Sequence, residues 1–295
     1  MAEIEIAGVM RSGAYSPNNI GNDAAIINTV SEHLRKRGCS VTLYSEEQFR
    51  NSDITQDIIL NMCREPASVA KLQSLEDKGR LVINSGYGIS NSRREPLTRL
   101  LIANGIPYPQ SLIVNTNEDV RAELDEAGIG ACWIKRGDFH AMHKEDISYC
   151  RNAREAQDML HEYFYRGIRR AVINRHLTGD LVKFYGVQGE PFFYWFYPFD
   201  EGHSKYGWET VNGKSQGYAF DIPALHQLCE RTSRLLDVKI YGGDCIVGSD
   251  GTVRIIDFND WPSFAPCRDE AAAAIARCIL KNIRKHLKTT RHNGK

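Results

Sequence analysis

Long apolar runs are missing from this chain of 295 residues: nothing approaches the roughly 18 consecutive apolar residues of a membrane-spanning helix. Excess charge is missing as well. Lys and Arg total 37 and Asp and Glu total 37, so bulk electrostatics suggests neither a nucleic-acid partner nor an anionic membrane surface. The eight cysteines, at 39, 63, 132, 150, 229, 245, 267 and 278, include no C-x-x-C pair and so form no zinc motif. Most sit in apolar strand or helix patterns, where a free thiol acts as a small hydrophobe. The first residues, MAEIEIAGVM, are acidic where a signal peptide needs basic side chains. Together these features imply a reducing, cytoplasmic setting. Internal repeats and low-complexity tracts are also lacking. Neither the 11–22 nor the 85–94 segment has a glycine run ending in Lys-Ser or Lys-Thr, so neither is a P-loop, and Gly86-x-Gly88 lacks the third glycine of a dinucleotide fingerprint. Neither a nucleophile triad nor a nucleic-acid-binding constellation is present.

What is present suits a globular enzyme. The hydrophobic share is 42%, and the length allows two domains or one body with several lobes. Strand patterns at 4–10, 40–44, 57–62 and 80–85 alternate with helical ones at 23–37 and 66–78, which predicts a small parallel sheet. Ligand loops are expected after its strands, at Arg11–Asn22 and Ser85–Arg94. A helix from Arg93 to about Asn104 leads to a Gly-Ile-Pro-x-Pro break, whose fixed φ angles mark a linker. Further on, 131–135, 147–150, the segment RRAVINRHL, TGDLVKFYGV and 191–198 read as strands, and 153–165, 222–236 and 269–286 as helices. Residues 200–219, with Trp208, read as loop, either shaping a pocket or forming a plain surface insertion.

The stretch 239–264, KIYGGDCIVGSDGTVRIIDFNDWPSF, carries the chemistry. Ser249-Asp250-Gly251 between β-branched runs predicts a hairpin of strands 240–247 and 252–257. Asp244 lies on the first strand, Asp257 ends the second, and Asn259 follows two residues later on the same face. Single aspartates at strand ends commonly cap turns. Two carboxylates and an amide oxygen on adjoining strands instead suit a hard cation such as Mg²⁺, with room left for a triphosphate. A second feature is Lys135, which leaves an apolar strand (ACWIK). It either runs its stem out to solvent or meets a charged ligand, because an unpaired buried ammonium costs several kcal/mol.

These motifs resemble the ATP-grasp superfamily, whose C-terminal signature is a strand Asp, a turn and an apolar strand ending in Asp/Glu-x-Asn. The likeness covers roughly residues 80–282 and implies a fold of mixed α/β and α+β class. That fold is a Rossmann-like N-terminal domain (1–96) followed by a two-lobed ATP-grasp domain (97–295), with a central lobe at 97–178 and a C-terminal catalytic lobe at 179–295. By the same resemblance ATP and Mg²⁺ are the cofactors, and Asp244, Asp257 and Asn259 are the metal ligands. Lys135 contacts the α- and β-phosphates, and Asn174, Arg175, His176 and Leu177 form the hinge that reads adenine. Lys183 contacts the terminal phosphates and, with His140, is a candidate catalytic residue. Residues 136–145 would form a lid bearing His140, which could equally cap a turn. Arg175 departs from the acidic hinge residue of many members. The activity implied first is a carboxylate–amine ligase acting on a small-molecule acceptor. Second comes a kinase resembling the inositol phosphate kinases, to which GDLVKFYGV, His140-x-Met142 and IDFNDWP are similar. A non-catalytic nucleotide-binding module comes third. Arg11, Arg93, Arg94 and Arg136 could clamp either a phosphorylated acceptor or a carboxylate. Self-association into a homo-oligomer is left open.

Overall fold

A computed structural model of the chain describes residues 4–16, 20–137, 144–199 and 211–293. Three four-stranded sheets carry the fold. In the first, β1 (Ile4–Val9), β2 (Cys39–Tyr44), β3 (Ile58–Asn61) and β4 (Leu81–Ile83) run parallel in the order β2-β1-β3-β4. β3 is buried along its whole length (IILN), as a strand covered on both faces must be. The crossovers are α1 (Ile20–Arg35), α2 (Glu46–Asn51) and α3 (Pro66–Asp77). The short α2 was not evident from hydrophobic period. It is set by a capping box in which Ser45 Oγ accepts from Gln48 N at 3.1 Å while Gln48 Oε1 accepts from Ser45 N at 2.8 Å.

The segment expected as a second ligand loop is helical instead: α4 (Gly86–Asn91) leads directly into α5 (Arg94–Ala103). Its glycines serve packing. A Cβ on Gly86 would lie 2.9 Å from Gln73 N, and one on Gly88 would collide with the carbonyl of Asp237. Other boundaries shift by a few residues. α1 begins at Ile20 rather than Asp23, where Asp23 falls in its first turn and favours the helix N-terminus.

The second sheet is antiparallel, in the order β5-β8-β6-β7, from β5 (Ser111–Asn115), β6 (Cys132–Arg136), β7 (Ile147–Cys150) and β8 (Arg170–Arg175). α6 (Arg121–Glu126) and α7 (Ala153–Tyr165) cover one face through Leu124, Ala156, Leu160 and Tyr163. The third sheet, also antiparallel, has the order β10-β9-β11-β12. It contains β9 (Asp180–Val187), β10 (Phe193–Phe196), β11 (Ile240–Val247) and β12 (Val253–Asp260). The expected hairpin is therefore present, and its second strand runs on through Asn259 to Asp260. α8 (Ile222–Leu236), capped by Asp221 Oδ1 accepting from Ala224 N at 2.9 Å, backs this sheet.

The last helix, α9 (Arg268–Asn293), extends past residue 286 and packs against α1. Ile275 and Ile279 share one core with Ile6 of β1, with Ile26, Ile27 and Val30 of α1, and with Val187 and Ile240 of the third sheet. The end of β4 is tied in as well. Asn84 Oδ1 accepts from Lys239 N and Ile240 N, both at 2.9 Å, and its Nδ2 donates to Ile240 O at 2.8 Å. The N-terminal sheet is thus fixed to the strand that bears Asp244. We propose a domain division near residue 96, which the chain passes within α5. No described helix is long and apolar enough to cross a membrane.

Because Ile275 is fully buried where α9 meets α1, Ile275→Ala should cost about 2–5 kcal/mol in transfer and cavity terms. Urea unfolding reads this directly, and an unchanged midpoint would mean that α9 does not close this core.

Candidate active site

Between the second and third sheets lies a cleft of about 300 Å³, within the range of small-molecule sites. Register explains why its charged side chains converge. Lys183 of β9 stands opposite Asp244 of β11, which stands opposite Asp257 of β12, so three strands contribute one row across one face of the sheet. The next row on that face is Tyr185, Gly242 and Asn259. Gly242 keeps the row low: a Cβ there would lie 2.7 Å from the Tyr185 ring and 2.8 Å from Pro262. Asp244, Asp257 and Asn259 therefore share one wall of the cleft, as expected from the sequence.

Both carboxylates are held by cations. Lys183 Nζ donates to Asp244 Oδ1 at 2.7 Å. Arg94, from α5 and 2% exposed, donates to Asp257 through Nη1 at 2.8 Å and Nη2 at 3.5 Å. Sequence reading placed Arg94 among acceptor clamps; here its partner is a cleft carboxylate. The opposite wall is the second sheet. There Lys135 is buried, and its Nζ donates across the cleft to Ile256 O of β12 at 3.1 Å. Burial above all, with nearby Arg94, pushes the Lys135 ammonium down to about 7, against the pull of Asp257 and Asp244.

The far end of the cleft is apolar and lies at the connection after β8. Pro109, Trp133, Leu177, Leu181, Ile246 and Ile256 line it. Asn174 and Arg175 reach it too. Asn174 Nδ2 donates to Ser111 Oγ at 2.8 Å, whereas its Oδ1 is buried without a hydrogen-bond partner. His176 stands behind the wall: its Nδ1 is 3.1 Å from Trp133 Nε1, and its ring packs edge-on to Tyr149. It positions Trp133 and does not line the cleft. Asn212, in a segment read only as loop, also lines this end and donates to the carbonyls of Leu177 and Gly179 at 3.1 and 3.2 Å. His140, Trp208 and most of the expected lid lie outside the described residues.

Of the remaining arginines, Arg11 lines the opposite end of the cleft, beside the N-terminal sheet. Arg136 pairs with buried Asp146 at 3.3 Å, and neither it nor Arg93 lines the cleft. Sequence reading missed Asp23, Arg64, Asp260, Trp133 and Asn212. A lone charged or aromatic residue in a loop or helix turn carries no local signal of the partner that the fold supplies.

No family model matches the chain, and no curated protein matches it by sequence. Solved structures do. D-alanine–D-alanine ligase from Bacillus anthracis aligns with a TM-score of 0.69 over 97% of this chain and 99% of its own, at 14% identity. A RimK domain ATP-grasp protein from Sphaerobacter thermophilus gives 0.66 over 94% and 99%, at 16% identity. The ATP-grasp ligase PsnB, in a complex with its precursor peptide and AMPPNP, gives 0.62 over 94% and 97%, at 17% identity. Another PsnB structure holds a minimal precursor, Mg and ADP. The chain has the ATP-grasp fold over nearly its whole length.

The state of Lys135 has a measurable consequence. Below pH 7 the folded and unfolded chains both hold its proton, and the buried ammonium carries its full penalty. Between about 7 and 10.5 only the unfolded chain holds it, so unfolding free energy rises with pH across that window. Lys135→Met should therefore stabilise the nucleotide-free protein by up to about 5 kcal/mol at pH 6, at roughly 1.4 kcal/mol per pKa unit, and by far less at pH 10. Equal gains at both pH values, by urea denaturation, would mean that Lys135 titrates normally.

Proposed function

We propose that the chain is an ATP-dependent ligase that activates a carboxylate as an acyl phosphate and joins it to an amine. One observation supports ligation over phosphorylation of a polyanionic acceptor: the arginines at the Arg11 end of the cleft and beside its carboxylate row are already paired with carboxylates. Arg11 pairs with Asp23 and Asp260, and Arg94 with Asp257. A site built for several phosphates needs uncompensated positive charge, and a single carboxylate does not. Two of the structural neighbours, D-alanine–D-alanine ligase and PsnB, are ligases, which supports the same reading.

In this reading Asp244, Asp257 and Asn259 hold Mg²⁺. The fit rests on donor chemistry: two carboxylates and an amide oxygen on one sheet face form an all-oxygen set suited to a hard cation. Mg²⁺ would offset phosphate charge during transfer. The chain's own groups do the rest. Lys135 and Lys183 meet the phosphates from opposite walls, and the apolar end around Trp133 and Leu177 takes the adenine ring. The partnerless Asn174 Oδ1 is available to accept from an amino group there. Positioning and preorganised charge supply most of the catalysis in such transfers. A carboxylate oxygen bonds to the γ-phosphorus as the bond to ADP breaks. The amine nitrogen then bonds to the acyl carbon as phosphate leaves with the carboxylate oxygen, and the nitrogen's proton passes to solvent.

Two experiments test this. Asp257→Asn should keep the circular-dichroism spectrum of the parent and lower turnover roughly 100-fold or more, because a charged ligand becomes neutral; parent-like turnover would remove the metal assignment. With an ¹⁸O-labelled carboxylate, label should appear in phosphate released in step with ADP. ADP without phosphate, together with a product one phosphoryl group heavier, would make the protein a kinase.

A further inference from the structure

At the apolar end of the cleft, three aromatic rings meet over one face of the second sheet. Trp133 of β6 stands directly opposite Tyr149 of β7 and opposite Asn174 of β8. His176 lies two residues past Asn174, and its N–H continues the ladder by donating to Ala131 O at 2.8 Å, so its side chain falls on that same face. The ring centroids of Trp133 and Tyr149 are 5.2 Å apart, those of Tyr149 and His176 also 5.2 Å, and those of Trp133 and His176 6.2 Å. Of the three, Trp133 alone lines the cleft. Its Nε1 donates to His176 Nδ1 at 3.1 Å.

That bond assigns the protonation of the histidine. An indole nitrogen only donates, so Nδ1 carries a lone pair and His176 is neutral, with its proton on Nε2. A second proton would go to Nδ1, the atom that accepts, and two N–H groups would then face each other. Burial opposes the charged ring as well, and it alone pushes the His176 imidazole below its ordinary value of 6.5. The surroundings supply no countercharge. Tyr149 is the titratable side chain that faces the ring from β7. Arg175, the neighbour in the chain, is exposed, and Arg151, just past β7, pairs with Glu155 at 2.8 Å. The indole bond and the second proton therefore compete for one atom.

We propose that His176 is a positioning residue for the nucleotide, acting through Trp133, and that it makes nucleotide binding depend on pH. With Nδ1 unprotonated, the indole is held in the wall against which the adenine ring lies in the proposed reading. When Nδ1 takes a proton, the indole loses its acceptor, that wall loosens and the nucleotide binds less tightly. The direction follows from linkage. Bound nucleotide favours the neutral ring, so affinity is full at neutral pH and falls as pH drops through the lowered range of this imidazole. This inference rests on the nucleotide occupying the apolar end, and adds a control of that same site.

Binding tests it without turnover, by isothermal titration of AMPPNP with Mg²⁺ at pH 7.5 and at pH 5. The phosphates of AMPPNP and the Lys135 ammonium titrate in this range too, so each variant is compared with the parent. Between the two pH values the parent should lose at least about 3-fold more affinity than His176→Asn, whose Oδ1 stands near the position of Nδ1 and takes no proton. His176→Phe offers no acceptor. It should bind more weakly than the parent at pH 7.5 and share the flatter profile of the Asn variant. A packing role alone would leave the profiles of parent and Asn variant parallel, which overturns the inference while the nucleotide reading stands. Should His176→Asn not fold, Trp133→Phe removes the donor instead and should flatten the profile in the same way. If AMPPNP does not bind the parent at pH 7.5, the nucleotide reading and this inference fall together.

Discussion

The guanidinium of Arg94 is the contact on which the cleft depends. It is almost wholly buried, and its forked pair with Asp257 anchors the carboxylate at the point where α5 meets β12. An unpaired Asp257 would be repelled by Asp244, its direct cross-strand neighbour, since like charges facing each other across a ladder destabilise it. Arg94 on one side and Lys183 on the other let two carboxylates stand together in an otherwise apolar sheet. The same guanidinium disfavours charge on Lys135, so the opposite wall is electrically coupled to the row it faces. Few substitutions at any one of these four positions would leave the others unaltered.

Placing that row needs more than the hairpin that bears it. β11 is fixed at its start by the Asn84 side chain, which takes the role of a neighbouring strand for Lys239 and Ile240. α9 closes the other side by burying its apolar face against both α1 and the third sheet. The N-terminal sheet thus abuts the third sheet and contributes the far wall of the cleft through Arg11, Asp23 and Arg64.

How much of this was legible can be argued from particular residues. The strand carrying Asp244 and the Asp257-x-Asn259 pair could be read directly, because strand period, a Gly turn and residue type are all local properties. Lys135 was legible as an anomaly, a charge at the end of an apolar strand, although its neighbours were not. The Ser85–Arg94 segment was misread as a loop because glycine is ambiguous. At Gly86 and Gly88 it answers close approach by α3 and by the end of α8, a fact about residues 72–73 and 236–237 and not about the segment itself. Arg94 was misassigned for the same kind of reason, since its partner lies 163 residues away. The Arg11, Asp23, Arg64 and Asp260 cluster left no trace at all in sequence spacing.

From the apolar end to the charged quartet, the cleft changes chemistry in three zones, and the order follows from strand direction. β8 and the residues after it bring the apolar walls, the middle of β9 and β11 brings the paired charges, and the end of β12 delivers Asp260 to the parallel sheet. In the proposed reading a nucleotide laid along this gradient would have its ring at the apolar end and its terminal phosphate toward Asn259. In that arrangement an acceptor would approach from the Arg11 side, where Arg11 is paired with Asp23 and Asp260. Charge paired in this way would favour an acceptor with few negative charges over one with many. That pairing belongs to particular side chains and not to the shared fold, so it is the feature of the cleft that bears most on the acceptor of the proposed ligase.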